Sequence, residues 1–147
     1  MRIGILLLLE YTPTLTDAEA VMGDAEIREA LERHWSVSAA DDPDTVHEIY
    51  SDDVVVDYPQ SGERIVGQAN LRALRDAYPA KLTFSIRRIS GTGDLWLTEY
   101  VITYDDKPVN VVSIMEFRGG RVGHETLYFA DPFDPPAWRA QWVERMG

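Results

Sequence analysis

Residues 81–130 read KLTFSIRRISGTGDLWLTEYVITYDDKPVNVVSIMEFRGGRVGHETLYFA, and this stretch decides the fold. It holds four long runs rich in β-branched and aromatic residues, Lys81 to Ile89, Leu95 to Tyr104, Val109 to Arg118 and Val122 to Ala130. Such residues fit a pleated, half-buried surface. The runs are joined by Gly91-Thr92-Gly93-Asp94, Asp105-Asp106-Lys107 and Gly119-Gly120. Short joints of this chemistry favour antiparallel hairpins, so the segment is expected to form a meander of four strands.

Upstream of Pro79 the apolar period is helical instead. Ile27, Ala30, Leu31, His34, Trp35 and Ser38 share one helical face, while Glu26, Arg28, Glu29, Glu32 and Arg33 take the other. Asp42 before Pro43 reads as an N-cap with proline in the first turn. The short helix it opens should point Val46, Ile49 and Tyr50 inward and end at Asp52-Asp53. Val54 to Tyr58 is a strand stopped by Pro59, Gln60-Ser61-Gly62 turns the chain, and Glu63 to Val66 is a second strand. Gly67 leads into a third helix with Leu71, Leu74 and Tyr78 inward, terminated by Pro79.

Helices first and a meander afterwards give an α+β domain rather than a parallel α/β fold. The expected architecture is a strongly curved, antiparallel-rich sheet wrapped over three helices around a small, mostly apolar pocket. A further helix opening at Asp134-Pro135 would carry an apolar stripe of Trp138, Trp142 and Met146. That stripe has two destinations, the domain's own open end or a second subunit, of which the first is the simpler.

A chain of 147 residues suits one domain, taken as 23–147, preceded by an extension over 1–22. Arg2 followed by the apolar run Ile3 to Leu9 imitates a secretory signal only loosely, because Glu10, Asp17 and Glu19 interrupt the stretch that follows. The run is too short to span a bilayer. An added strand or arm, and a true start at Met22, are the two other readings. The absence of cysteine removes disulfides and thiolate chemistry and suits a reducing cytoplasm. A net charge of -11, spread along the chain, repels phosphate backbones and anionic lipid heads, so neither nucleic acid nor membrane is expected as partner. No metal or cofactor is expected either. His34, His47 and His124 lack ligand spacing, and Gly91-x-Gly93 leads into a strand rather than a phosphate-binding helix.

The series Tyr50-Ser51-Asp52-Asp53-Val54-Val55-Val56-Asp57-Tyr58-Pro59, then Gln60 to Gly67, then Ile114-Met115-Glu116-Phe117-Arg118-Gly119-Gly120-Arg121-Val122 resembles the SnoaL-like branch of the NTF2-like superfamily. The resemblance covers nearly all of Ile27 to Pro132 and implies a cone-shaped sheet, an internal pocket and a homodimer. The fold hosts isomerases, polyketide cyclases, dehydratases, epoxide hydrolases and pure binding proteins, so it does not by itself name an activity. The isomerases' catalytic aspartate falls here on Tyr58, their neutral acid on Ser113 and their tyrosine donor on His34, so the usual steroid-isomerase set is missing. The cyclases' last-strand histidine falls on Glu125, beside His124, and their aspartate on Ala130, beside Asp131.

The candidate catalytic residues are Glu125, Glu99 and His34. If the last strand turns Glu125, Leu127 and Phe129 inward, Glu125 is a carboxyl in apolar surroundings, where desolvation raises the pKa toward general acid-base use. Its other reading is an ion pair with Arg87 or Arg88 on a neighbouring strand. Glu99 interrupts a face shared with Leu97 and Val101, either for function or for a hydrogen bond to Tyr58, Tyr100 or His34. His34 is a proton shuttle, a ligand donor or a satisfied core histidine. Tyr58, Trp35, Ser113, Leu127, Phe129 and Tyr128 complete the candidate ligand-binding set, Tyr58 being preferred to Asp57 as the inward partner of that pair. The function classes left standing are a cofactor-free isomerase, cyclase, dehydratase or lyase working on a small apolar carbonyl metabolite, a non-catalytic small-ligand binder, and a dimeric interaction module.

Overall fold

The computed structural model describes residues 22–38, 42–79 and 81–147. The proposed extension and its alternative readings lie almost wholly outside the described residues. In chain order the elements are α1 (Asp24–Ser38), α2 (Pro43–His47), β1 (Tyr50–Tyr58), β2 (Glu63–Val66), α3 (Gln68–Asp76), β3 (Leu82–Thr92), β4 (Leu95–Tyr104), β5 (Lys107–Arg118) and β6 (Arg121–Ala130). A 3-10 helix follows at Ala137–Trp142.

The six strands make one sheet in the order β2-β1-β6-β5-β4-β3. The meander from β3 to β6 is antiparallel throughout, and β1 joins its far edge by pairing parallel with β6, Val56 opposite Glu125. The sheet is therefore mixed, and the domain is α+β. Register breaks between Ile86 and Arg88 and between Glu116 and Phe117 mark irregularities of the kind that bends strands and deepens twist. The β4–β5 turn puts Asp105 and Asp106 at positive φ, 46° and 76°, a conformation that short polar side chains tolerate better than branched ones. At Gly91 a Cβ would come within 2.7 Å of the Trp96 ring, so the glycine lets that buried indole lie flat against β3.

The helices cover one face of the sheet. Ile27, Leu31, His34 and Trp35 of α1 are buried against it, and Leu71 anchors α3 with no exposed surface. Asp24 ties the start of α1 to the β3–β4 turn by accepting hydrogen bonds from Thr92 Oγ1 at 2.7 Å and Gly93 N at 2.8 Å.

Two expectations change. The short second helix ends at His47, and Tyr50 to Asp53 belong to β1 rather than to a helix end. The side-chain amide of Gln68 donates to the carbonyls of His47 and Tyr50 at 3.1 and 2.9 Å, which fixes the chain where it changes from helix to strand. The C-terminal stripe does not close the domain. Its residues form only the short 3-10 helix, with Trp138 and Trp142 more than 70% exposed, at 73% and 72%. A short helix without a packing partner gains too little to overcome the entropy of nucleation. Among the described residues, no helix is long and apolar enough to cross a membrane.

Candidate functional site

Between the helices and the concave face of the sheet lies a cavity of about 660 Å³. Trp35 from α1, Tyr58 from β1, Phe84 from β3, Tyr100 and Ile102 from β4, and Leu127 and Phe129 from β6 form its apolar walls. The rings lock one another: Trp35 and Tyr100 stand 4.5 Å apart, Phe84 and Tyr100 5.9 Å, and Tyr58 meets Phe129 edge-on at 5.7 Å. Trp35 Nε1 donates to Thr98 Oγ1 at 3.1 Å, so this indole is oriented by the sheet and gives its face to the cavity wall.

Of the carboxyl residues that line the cavity, Asp42, Asp76 and Glu125, only Glu125 is buried among the described residues. Glu125 is 0% exposed and accepts hydrogen bonds from Ser113 Oγ at 2.6 Å and Tyr50 Oη at 2.9 Å. The guanidinium of Arg75, on α3, donates through Nη2 to Tyr50 Oη at 3.1 Å and stands 3.8 Å from Glu125 Oε1. Burial raises the Glu125 pKa, while the Arg75 charge and the bonds from Ser113 and Tyr50 pull it down without cancelling the rise. Tyr50 is pushed up chiefly by its own burial, so its phenol stays protonated and serves as a donor. Burial works against the charge on Arg75, but its neighbours Tyr50 and Glu125 outweigh burial and hold it protonated.

The cavity also has two imidazoles. His34 Nδ1 lies 3.0 Å from the Val46 carbonyl and His47 Nδ1 2.5 Å from the Pro43 carbonyl. A carbonyl only accepts, so each Nδ1 carries the hydrogen and each Nε2 is left as an acceptor. Burial, then the Arg75 charge, push His34 down to about 3, which keeps it neutral at physiological pH. In this tautomer His34 is a hydrogen-bond acceptor at the cavity rather than a donor to a carbonyl oxygen. His47 Nε2 is buried with no partner among the described residues.

The convex face holds the other named acids. Glu99 turns outward and pairs with Arg88 at 2.9 Å and Arg87 at 3.9 Å, so it meets none of Tyr58, Tyr100 and His34. These two arginines are the partners considered for Glu125, and they lie across the sheet from it. Asp57 also faces out, where Arg64 grips it through Nε at 2.6 Å and Nη2 at 2.8 Å, and His124 Nε2 approaches to 2.8 Å. Tyr128 is exposed on that face and stands apart from the cavity, since its neighbours Leu127 and Phe129 take the inward positions of the two-residue period. Ser113 is fully buried and reaches a ligand only through Glu125.

Thus the structure gathers Glu125, His34, Trp35, Tyr58, Leu127 and Phe129 at one cavity and leaves Glu99 and Tyr128 outside it. The sequence reading points Tyr50 inward and weighs His47 only as a metal ligand, and it places neither of them, nor Arg75, at this site. For Arg75 a signal existed: it follows Leu71 by four residues and precedes Tyr78 by three, which places it on the inward stripe of its helix. Among the described residues, no cluster of histidines and acids is arranged to hold a metal ion.

The SnoaL-like domain family model matches residues 31–124. Among solved structures, an NTF-2 like protein of unknown function from Burkholderia xenovorans is 57% identical, with a TM-score of 0.79 over 86% of this chain and 99% of that one. A Kribbella flavida protein described as a candidate ketosteroid isomerase aligns at 23% identity and a TM-score of 0.78, covering 86% of this chain and 94% of its own. An LEH-like epoxide hydrolase from M. tuberculosis shares 26% identity at a TM-score of 0.60, over 71% of this chain and 83% of its own. No curated protein matches.

Proposed function

The chain belongs to the SnoaL-like domain family and has the NTF2-like fold, and from that premise we propose that its cavity takes up a small, largely apolar carbonyl metabolite on which Glu125 moves a proton. The observation that carries the reading is a single carboxyl, fully buried beside an aromatic cavity, with its pKa raised by burial. A carboxyl in that state gains and loses a proton closer to neutral pH than one in water.

As carboxylate, Glu125 takes the proton from the carbon next to the carbonyl; the C–H electron pair becomes a C=C bond and the C=O π pair moves onto the oxygen to give an enolate. Arg75, and the phenol of Tyr58, are the donors that can stabilise that oxygen. The carboxylic acid so formed returns the proton to another carbon, which closes an isomerisation; in a cyclisation the enolate carbon first attacks a second carbonyl of the same molecule, and the proton goes to the alkoxide so formed, with no cofactor in either case.

One observation favours a second reading, binding without turnover. Both Glu125 oxygens already accept hydrogen bonds, from Ser113 and Tyr50, so the carboxyl is satisfied without a ligand. Incubating a panel of small carbonyl metabolites with the wild-type protein and with Glu125→Gln separates the two. Conversion by the wild type alone supports proton transfer, whereas ligands bound by both and converted by neither identify a binding protein.

The same family reading includes a homodimer. Leu95, Leu97 and Tyr128 are exposed on the convex side of the sheet, and an apolar patch of this kind is a natural seat for a second copy. Light scattering coupled to size exclusion, comparing wild type with Leu97→Lys, tests the pairing through a shift from dimer to monomer mass.

A further inference from the structure

Arg75 and Lys81 are the cationic side chains in the cavity lining. Arg75 lines the cavity with 30% of its side chain exposed, and only Nη2 is engaged, by Tyr50 Oη. Nε and Nη1 have no hydrogen-bond partner among the described residues. They are also not sealed in: the buried side-chain nitrogen lacking a partner there is His47 Nε2. A guanidinium with an open edge presents parallel N–H groups, and the acceptor that matches them is planar and has two oxygens.

The other charges around the cavity leave that edge unclaimed. Asp42 also lines it, but its carboxylate caps α2, accepting from Thr45 N at 3.2 Å and Thr45 Oγ1 at 2.7 Å. Asp76 is an exposed residue at the end of α3, and Lys81 adds a second positive charge to the lining. Glu125 lies 3.8 Å from Nη2, with its two oxygens already taken by Ser113 and Tyr50. Apart from Ser38 and the neutral imidazoles of His34 and His47, the rest of the wall is aromatic and aliphatic, a surface for a flat apolar body.

Resting on the reading of the cavity as a ligand site, we propose that its ligand is a small aromatic or unsaturated monocarboxylate whose carboxylate sits on the open edge of Arg75 with its apolar body against Trp35, Phe84 and Tyr100. Glu125 then becomes a sensor of the ligand's charge. A carboxylate on Arg75 competes with Glu125 for the same cation, so binding favours the protonated form of Glu125. The titratable and charged groups around Glu125 are Tyr50 and Tyr58 on β1, Arg75 on α3 and Tyr100 on β4, with Ser113 on β5 as a hydrogen-bond donor, and of these Arg75 alone is charged at neutral pH. Affinity for a carboxylate therefore falls as pH rises through the Glu125 titration, and Glu125→Gln removes that fall.

The test uses phenylacetate and phenylacetamide, which share a shape and differ in charge, titrated calorimetrically into the wild-type protein, Arg75→Gln and Glu125→Gln. The wild type is expected to bind phenylacetate at least about tenfold more tightly than the amide, the amount a charge-assisted pair contributes. Arg75→Gln should erase the preference, and Glu125→Gln should strengthen phenylacetate binding. Equal affinities in the wild type overturn the proposal without needing any variant, and so does a preference that survives Arg75→Gln. Tighter binding of benzylphosphonate than of phenylacetate overturns the monocarboxylate class. Failure of the wild type to bind phenylacetate sinks this inference, and failure to bind any member of the carbonyl panel as well sinks the cavity reading with it. Glu125-dependent turnover of neutral carbonyl compounds, with no preference for the acid, sinks this inference alone.

Discussion

Asp57 and Glu125 lie on neighbouring strands one register step apart, yet they point to opposite faces of the sheet and have opposite titration behaviour. On the convex face Arg64 and then His124 hold the Asp57 carboxylate far below the usual range. On the concave face burial holds Glu125 above it. The same functional group thus becomes a fixed negative charge on one side of the sheet and a titrating one on the other. Solvent and a two-pronged arginine make the first, and an apolar wall makes the second.

The comparison breaks first at catalysis. Glu125→Gln is expected to lower turnover of a carbonyl substrate by about 10²–10⁴-fold, the range of a general acid-base group, and Asp57→Asn to leave it within about twofold. Steady-state rates on the same substrate decide it, and an equal loss in both variants would erase the distinction between the faces.

Next comes the support of the buried acid. Tyr50→Phe removes the hydroxyl that donates to Glu125 and accepts from Arg75, and leaving such groups short of a partner costs about 1–3 kcal/mol. Urea unfolding at neutral pH measures it. A loss near zero would mean that water replaces the phenol.

The pH dependence sharpens the contrast because the signs differ. Asp57 has a folded pKa below its unfolded value, so its contribution is present above about pH 4 and is lost as pH falls through the folded pKa. Glu125 has a folded pKa above its unfolded value, so its contribution is full below about pH 4 and disappears as pH rises through the folded pKa. Glu125→Gln should therefore flatten the fall in stability as pH rises above about 4, and Asp57→Asn the fall as pH drops below it, as read by melting temperature across pH. The smallest effect belongs to the exposed pair on β3 and β4: Arg88→Ala should cost only about 0.2–1 kcal/mol, less in high salt.

The meander was legible because its turns are spelled by residues that accept positive φ, Gly93, Asp105, Asp106, Gly119 and Gly120, and its strands by β-branched runs. The two-residue period sorted side chains into two sets but could not name the inner one. Glu99 shares its set with Leu97 and Val101 and still faces outward, because the bulkier Trp96, Tyr100 and Ile102 fill the concave side. Tyr50 was read as the end of a helix since it follows Val46 at helical spacing, and only the tertiary pairing with β6 makes it a strand residue. The Arg75 role needs three elements to meet, α3, β1 and β6, and no local pattern reports that meeting. The C-terminal tryptophans were legible as an apolar stripe, but where a stripe docks depends on surfaces far away in sequence.

The parallel seam between β1 and β6 has a kinetic consequence. Tyr50 and Glu125 are 75 residues apart, and the hairpins from β3 to β6 form through contacts much closer in sequence. Loop-closure entropy delays distant pairings relative to local ones. During refolding the hairpins should gain protection from hydrogen exchange before the seam does, so the Tyr50–Glu125 bond becomes a marker of the last stage of assembly, and a nascent chain still lacking β6 cannot carry the buried carboxyl at all.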